Sequence, residues 1–202
     1  MPIWLDRHSL VLASKSNVRG KLLASAGLHF EIRPALIDER AVEARAGAID
    51  AAAAARLLAR TKAVAVAAQQ PGQLVLGADQ TLALGAMRFS KPADLVAAGE
   101  QLRALRGKTH ELHSAVALAR NGIVLFDYVD TARLTMRDMS DRFLDDYLTM
   151  AGDAALHSVG GYQLEGIGVH LFETIEGDYF TILGLPLLPL FAFMRQNGFI
   201  DG

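Results

Sequence analysis

The sequence predicts an α/β fold in which a mixed sheet is flanked by helices. Three patterns carry that expectation. Short apolar β-rich runs alternate with helical stretches through the first half, a long hairpin dominates the middle, and a helix-length apolar segment closes the chain. A purely parallel sheet does not suit the hairpin.

Taken in order, SLVLAS (9–14) reads as a short buried strand. Ser14 and Ser16 then offer N-cap oxygens to a helix running through Arg19, Leu22, Leu23 and Ala26 and stopped by Gly27. HFEIRP (29–34) reads as a second strand, IDER (37–40) as a polar elbow, and the alanine-rich segment to about residue 69 as one long helix, ended by PGQ (71–73). QLVLGAD (73–79) and TLAL (81–84) read as two strand segments, and KPAD (91–94) opens a helix through Leu102 and Leu105 that Gly107 closes. ELHSAVALARNGIVLFDYVDTARLTM is a hairpin, with Asn121-Gly122 at a type I′ turn. A helix over 140–150, a glycine-rich loop through GGYQLEGIG, a strand VHLFETI, a turn at EGD and a C-terminal helix after GLP complete the chain. With no repeat and no linker, residues 1–202 are expected to form one compact unit.

At 202 residues and 51% hydrophobic, the chain can bury a sizeable core. Twenty Lys and Arg nearly balance 22 Asp and Glu, which excludes the broad basic field of a nonspecific nucleic-acid binder. A polyanionic ligand therefore needs a local cationic site. Cysteine is absent, so no disulfide or thiolate metal site exists, and a reducing cytoplasm fits. Asp6, Arg7 and His8 precede the first short apolar run, the wrong order for a secretory signal, and no 18-residue apolar span is present; no membrane partner is expected.

Several residues bear chemistry. In LVLGADQTLALG (74–85) Asp79 is the one carboxylate of an apolar stretch, read as lying at a strand end behind the small Gly77 and Ala78, where a ligand or another backbone can approach. It is either a base or metal ligand, or a turn aspartate bonded to its own backbone. On a helix, residues 51, 55, 58, 62 and 65 share a stripe, so Lys62 projects from an apolar face while Arg56 and Arg60 face solvent. Its ammonium either finds a partner in a cleft or snorkels to water. Ser14, Ser16 and Arg19 stand at a helix start, where N–H groups and the helix dipole attract anions; ordinary capping with a solvated Arg19 is the other reading. Lys91 precedes the next helix and is either a further cation of the site or a surface lysine. Separated cations and an isolated carboxylate suit a triphosphate with a divalent metal.

Other signatures fail. GKT (107–109) lacks the glycine five places before Gly107 that a P-loop requires, since Leu102 stands there. GIGVHL (166–171) lacks the third glycine of a dinucleotide fingerprint. His110 and His113, three apart on a strand, face opposite sides and are read as structural.

LVLASKSNVRGKLLASAGLHFEIRPALIDE, then LGADQ and KP, then RGKTHELHSAVAL, and finally GDYFTILGLPL occur in the order of the Maf family of nucleoside triphosphate pyrophosphatases, which the chain resembles over nearly its whole length. The resemblance implies a Maf/ITPase-like fold with a strongly twisted mixed sheet and two lobes around a central cleft, often paired as a homodimer. It implies hydrolysis of the α–β phosphoanhydride to a nucleoside monophosphate and pyrophosphate with Mg²⁺ or Mn²⁺. By that resemblance Asp79 is the general base or a metal ligand, assisted by Glu39, and Ser14, Arg19, Lys62 and Lys91 hold the triphosphate.

The chain also departs from the family. Where its opening usually reads S-P-R-R, this sequence has Ser16, Asn17, Val18 and Arg19; Gln80 replaces the threonine of the dTTP- and UTP-cleaving branch; and Y-G-I-Q-G becomes Tyr162, Gln163, Leu164, Glu165 and Gly166. Gln80 and Glu165 resemble the branch acting on 7-methyl-GTP, although that branch has an aromatic residue where Val18 stands. A carboxylate only accepts hydrogen bonds, which suits the N1–H and amino donors of guanine and favours the cationic 7-methylated base; a glutamine amide suits the mixed edge of uracil or thymine. The resemblance also admits two alternatives, a dTTP/UTP-preferring pyrophosphatase and a nucleotide-binding regulator of cell division or septum formation that does not depend on turnover.

Overall fold

A computed structural model describes residues 3–201; Met1, Pro2 and Gly202, the ends of the expected 1–202 unit, lie outside it. Seven strands form one mixed sheet: β1 (Leu10–Leu12), β2 (Phe30–Ile32), β3 (Val75–Leu84), β4 (Met87–Phe89), β5 (Thr109–Arg120), β6 (Ile123–Met136) and β7 (Phe172–Glu176). Their order is β2-β1-β3-β5-β6-β7, with β4 against β3. β1 runs parallel to β2 and β3, whereas β3 with β4 and β6 with β7 are antiparallel. The helices are α1 (Asn17–Ser25), α2 (Glu39–Ala46), α3 (Ala51–Ala67), α4 (Leu95–Leu105), α5 (Asp141–Ala151), the short α6 (Tyr179–Ile182) and α7 (Leu187–Gln196). The expected α/β architecture with flanking helices is present.

The chain forms two compact units and passes between them repeatedly. One contains residues 3–80, 114–130 and 179–201, the other 81–113 and 131–178. In the first, strand alternation divides the core in two. Leu10, Leu12, Leu74, Leu76, Ala78, Val116 and Leu118 pack with Leu23 of α1 and Leu187, Leu190 and Met194 of α7. Val11, Ala13, Val75, Ala115, Ala117 and Ala119 pack instead with Ala55, Ala59, Ala63, Val66 and Ala67 of α3. Small side chains on both sides of that second layer bring α3 close to the sheet.

In the second unit, α4 packs on α5, burying Leu102, Leu105, Leu144 and Leu148, with Arg103–Asp145 and Arg106–Asp141 ion pairs at the rim. His110 is fully buried and its Nε2 lies 2.7 Å from the Tyr162 hydroxyl, beside Phe172. Burial without a counter-charge lowers the imidazole pKa to about 4, so the ring is neutral at pH 7. His113 Nδ1 instead meets Thr131 Oγ1 at 2.9 Å, so neither histidine is a metal ligand with the other.

Three stretches differ from their sequence reading. The elbow at 37–40 and the following long helix are α2 and α3, because Gly47 takes φ +72° at the end of α2 and the Asp50 carboxylate caps Ala53 N–H at 2.7 Å to start α3. The two segments 73–79 and 81–84 are one strand, β3, so Asp79 is not at a strand end but within it. Residues 167–171 form a 3₁₀ turn, leaving only 172–176 as strand, and α6 precedes the C-terminal helix. The hairpin turn has positive φ at both Asn121 (53°) and Gly122 (77°), as type I′ requires.

Candidate active site

Alternation along β3 aims Asp79, with Val75 and Gly77, at the α3 face. Gly77 determines how near α3 comes. A Cβ there would lie 2.2 Å from the Ala59 carbonyl oxygen and 2.7 Å from Ala63 N, so the approaching backbone is that of α3. One turn along that contact, Lys62 Nζ donates to Asp79 Oδ1 at 2.6 Å and also lies 2.9 Å from Glu39 Oε1. The Lys62 and Asp79 side chains are only 12% and 11% exposed, and Glu39, at the first position of α2, is 51% exposed. Lys62 has thus found partners rather than snorkelling, and the turn-aspartate reading of Asp79 gives way to an ion pair.

Burial raises the Asp79 carboxyl above the ordinary carboxylate range, Glu39 adds to the rise, and Lys62 and Arg19 oppose it. A raised carboxylate is a stronger base than a solvated one, while the ammonium at 2.6 Å favours its ionised form. Arg56 and Arg60, on the outer face of α3, are half exposed and both pair with Asp127.

At the start of α1, Ser16 Oγ accepts from Arg19 N–H at 3.4 Å, and Ser14 Oγ accepts from Ser16 N–H at 3.2 Å and from Arg19 Nη1 at 3.3 Å. Ser16 therefore caps α1, whereas Ser14 holds the cap residue's own N–H and the Arg19 guanidinium. Arg19 is not solvated: Nη1 donates to the Ala78 carbonyl at 2.9 Å and Nε to the Gly184 carbonyl at 2.8 Å. Desolvation lowers its pKa, against support from Asp79 and Glu39. Val18 is partly buried on the same turn.

Gln80 occupies the opposite face of β3 from Asp79. Its Nε2 lies 2.9 Å from Ser114 Oγ, 3.2 Å from the Thr181 carbonyl and 2.9 Å from the Ile182 carbonyl. Ser114, Thr181 and Gly184 carry no signal in local sequence, since their partners lie tens of residues away; their presence in HELHSAVAL and GDYFTILGLPL is the one trace they leave. The first unit thus brings together Ser14, Arg19, Glu39, Lys62, Asp79 and Gln80. Lys91 and Glu165 belong to the second unit, both exposed, Lys91 three residues before the Asp94 cap of α4.

Among the described residues no three His, Asp or Glu side chains converge as a ready-made metal cage. The donor set still fits a hard divalent ion. Asp79 and Glu39 supply two carboxylates that meet at one ammonium, and Mg²⁺ commonly binds through one or two carboxylates together with substrate phosphates.

The chain matches the family model described as Maf-like protein over residues 9–197 and belongs to that family. It is 56% identical over 197 residues to a nucleoside triphosphate pyrophosphatase of Rhodopseudomonas palustris (strain BisB18), covering 98% of each chain. It is 52% identical over 201 residues to one of Nitrobacter hamburgensis, covering 100% of each. It is similar too to a 7-methyl-GTP pyrophosphatase of Rhizobium etli, 54% identical over 196 residues, 96% of this chain and 98% of that one. Among the described residues no helix is long and apolar enough to cross a membrane.

Proposed function

We propose that the protein is a nucleoside triphosphate pyrophosphatase that adds water across the α–β phosphoanhydride, releasing a nucleoside monophosphate and pyrophosphate. The observation that carries this reading is the buried Asp79–Lys62 pair, joined by Glu39. Asp79 orients the attacking water and takes its proton, while Glu39 assists by sharing Lys62. The bond to the bridging oxygen breaks, and charge collects on the leaving pyrophosphate. Lys62, Arg19 and Ser14 hold the triphosphate and offset that charge, the electrostatic task that dominates phosphoryl transfer. The Asn17 and Val18 N–H groups at the start of α1 add a site for a phosphate oxygen, Ser16 already accepting from the N–H groups of Arg19 and Gly20. Asp79 and Glu39 would hold Mg²⁺ or Mn²⁺, which supplies Lewis-acid polarisation of phosphate oxygens when bound.

The substrate proposed is a modified guanine nucleotide, 7-methyl-GTP, processed by a soluble cytoplasmic enzyme that pairs as a homodimer. Glu165 supports the choice of base, because an accepting carboxylate suits guanine donors and the positive ring of a 7-methylated base. The name of the Rhizobium etli relative points the same way. Val18 offers no stacking platform, so discrimination rests on Glu165. Pyrophosphate release from dTTP, UTP, GTP and 7-methyl-GTP with Mg²⁺ tests this: the account expects 7-methyl-GTP to lead, and a preference for dTTP or UTP would refute the base assignment.

A further inference from the structure

Neighbours in sequence, Asp79 and Gln80 point to opposite faces of β3. Asp79 faces α3 and Lys62; Gln80 faces the layer of α1, α6 and α7, where its amide nitrogen meets Ser114 Oγ and the carbonyls of Thr181 and Ile182. Two amide hydrogens serve these three acceptors. The flipped amide would set Oε1 against two carbonyl oxygens, so the nitrogen must face them. Ser114 Oγ itself donates to the Thr181 carbonyl at 2.6 Å, which leaves its lone pairs to accept from Gln80.

The other flank of Asp79 is tied to the same segment. Arg19 bridges the Ala78 carbonyl and the Gly184 carbonyl. Gly184 has φ +85°, and a Cβ there would sit 3.4 Å from Arg19 Nη2 and 3.5 Å from Gln80 Cδ, so the two ties meet across one glycine. Thr181 is anchored in turn through its hydroxyl, which donates to Asp130 Oδ2 at 2.6 Å.

We propose that Gln80 is a positioning residue: it ties the strand bearing Asp79 to segment 181–184 and acts on catalysis through Asp79, without reading the base. The proposal rests on the pyrophosphatase reading for its kinetic consequence, though not for its structural one. With both amide hydrogens engaged in the framework, residue 80 retains only an accepting oxygen and cannot supply the donor–acceptor pair that uracil or thymine would require. Selectivity must come from elsewhere.

Two measurements on Gln80→Leu and on the milder Ser114→Ala test this. Hydrogen exchange at the amides of Leu183, Gly184 and Leu185, which bond to the carbonyls of Tyr179, Thr181 and Phe180, should quicken in both variants. In the four-nucleotide panel kcat should fall about tenfold for every base, with KM and the ratios between bases held within about twofold, and the double variant should lose little more than Gln80→Leu alone. Unchanged exchange would overturn the proposal. So would a tenfold shift in the ratio between bases, or fully additive losses. A wild-type protein inactive on the whole panel would sink the pyrophosphatase reading, while the exchange result would still decide the tie.

Discussion

Gly77→Ala adds one methyl group on the α3-facing side of β3, two residues before Asp79, and should disable the site. The new Cβ would stand 2.2 Å from the Ala59 carbonyl oxygen, 2.7 Å from Ala63 N and 2.9 Å from Ala63 Cβ, all on α3. Ordinary contact needs about 3.4 Å, so α3 must retreat by about 1 Å, since helix backbone has no rotamer with which to yield. Overpacking of this kind costs about 1–3 kcal/mol, and the retreat lengthens the 2.6 Å Lys62–Asp79 contact beyond hydrogen-bonding reach. A displacement of that size at a reacting centre can cost roughly 100-fold in rate. Thermal melting followed by pyrophosphate release, measured well below the melting point, separates the two effects. A variant with wild-type melting and wild-type turnover would refute the claim that the missing side chain at Gly77 sets the spacing of the catalytic pair.

Other substitutions follow from the same geometry. Asp79→Asn should abolish pyrophosphate release while leaving nucleotide binding measurable by calorimetry; a regulator independent of turnover would keep its cellular effect in that variant. Lys62→Met leaves Asp79 buried without its ammonium and should lower kcat/KM at least about 100-fold, with Lys62→Arg restoring little because a planar fork cannot reproduce a point charge between two carboxylates. Glu165→Gln should erode discrimination between 7-methyl-GTP and GTP with little change in the melting point, as expected of an exposed side chain; retained selectivity would remove Glu165 from the base assignment. His110 is buried neutral, with its pKa lowered from 6.5 to about 4, so the unfolded chain binds more protons between those values. Its contribution is complete above about pH 6.5 and falls away toward pH 4, by roughly 2 kcal/mol from pH 7 to pH 5. His110→Gln should flatten that part of the stability profile.

Much of this was legible in one dimension because local chemistry dictated it. Ser16 caps α1, Gly107 ends α4, and Asn121-Gly122 turns the hairpin, each through a backbone requirement that its own residue type meets. The helical stripe carrying Lys62 located a cation that needed a partner, and the structure supplies Asp79 and Glu39. The break between α2 and α3 was hidden because alanine continues a helical pattern on both sides of Gly47 and Asp50. The sequence divides the strand at Asp79 because a carboxylate in an apolar run imitates a strand end; the backbone ladder from Leu82 to Leu84 against β4 shows that the strand continues. Arg19 and Gln80 read as ligand groups from sequence, and their polar atoms also meet carbonyls at positions 78, 181, 182 and 184, contacts that no spacing rule anticipates.

Product analysis is the most direct test of the claim that Asp79, held by Lys62 and Glu39, cleaves between the α- and β-phosphates. Incubated with Mg²⁺ and 7-methyl-GTP, the wild-type protein should release monophosphate and pyrophosphate in equal amounts, and Asp79→Asn should release neither. Formation of diphosphate and inorganic phosphate, or undiminished turnover by Asp79→Asn, would contradict the account.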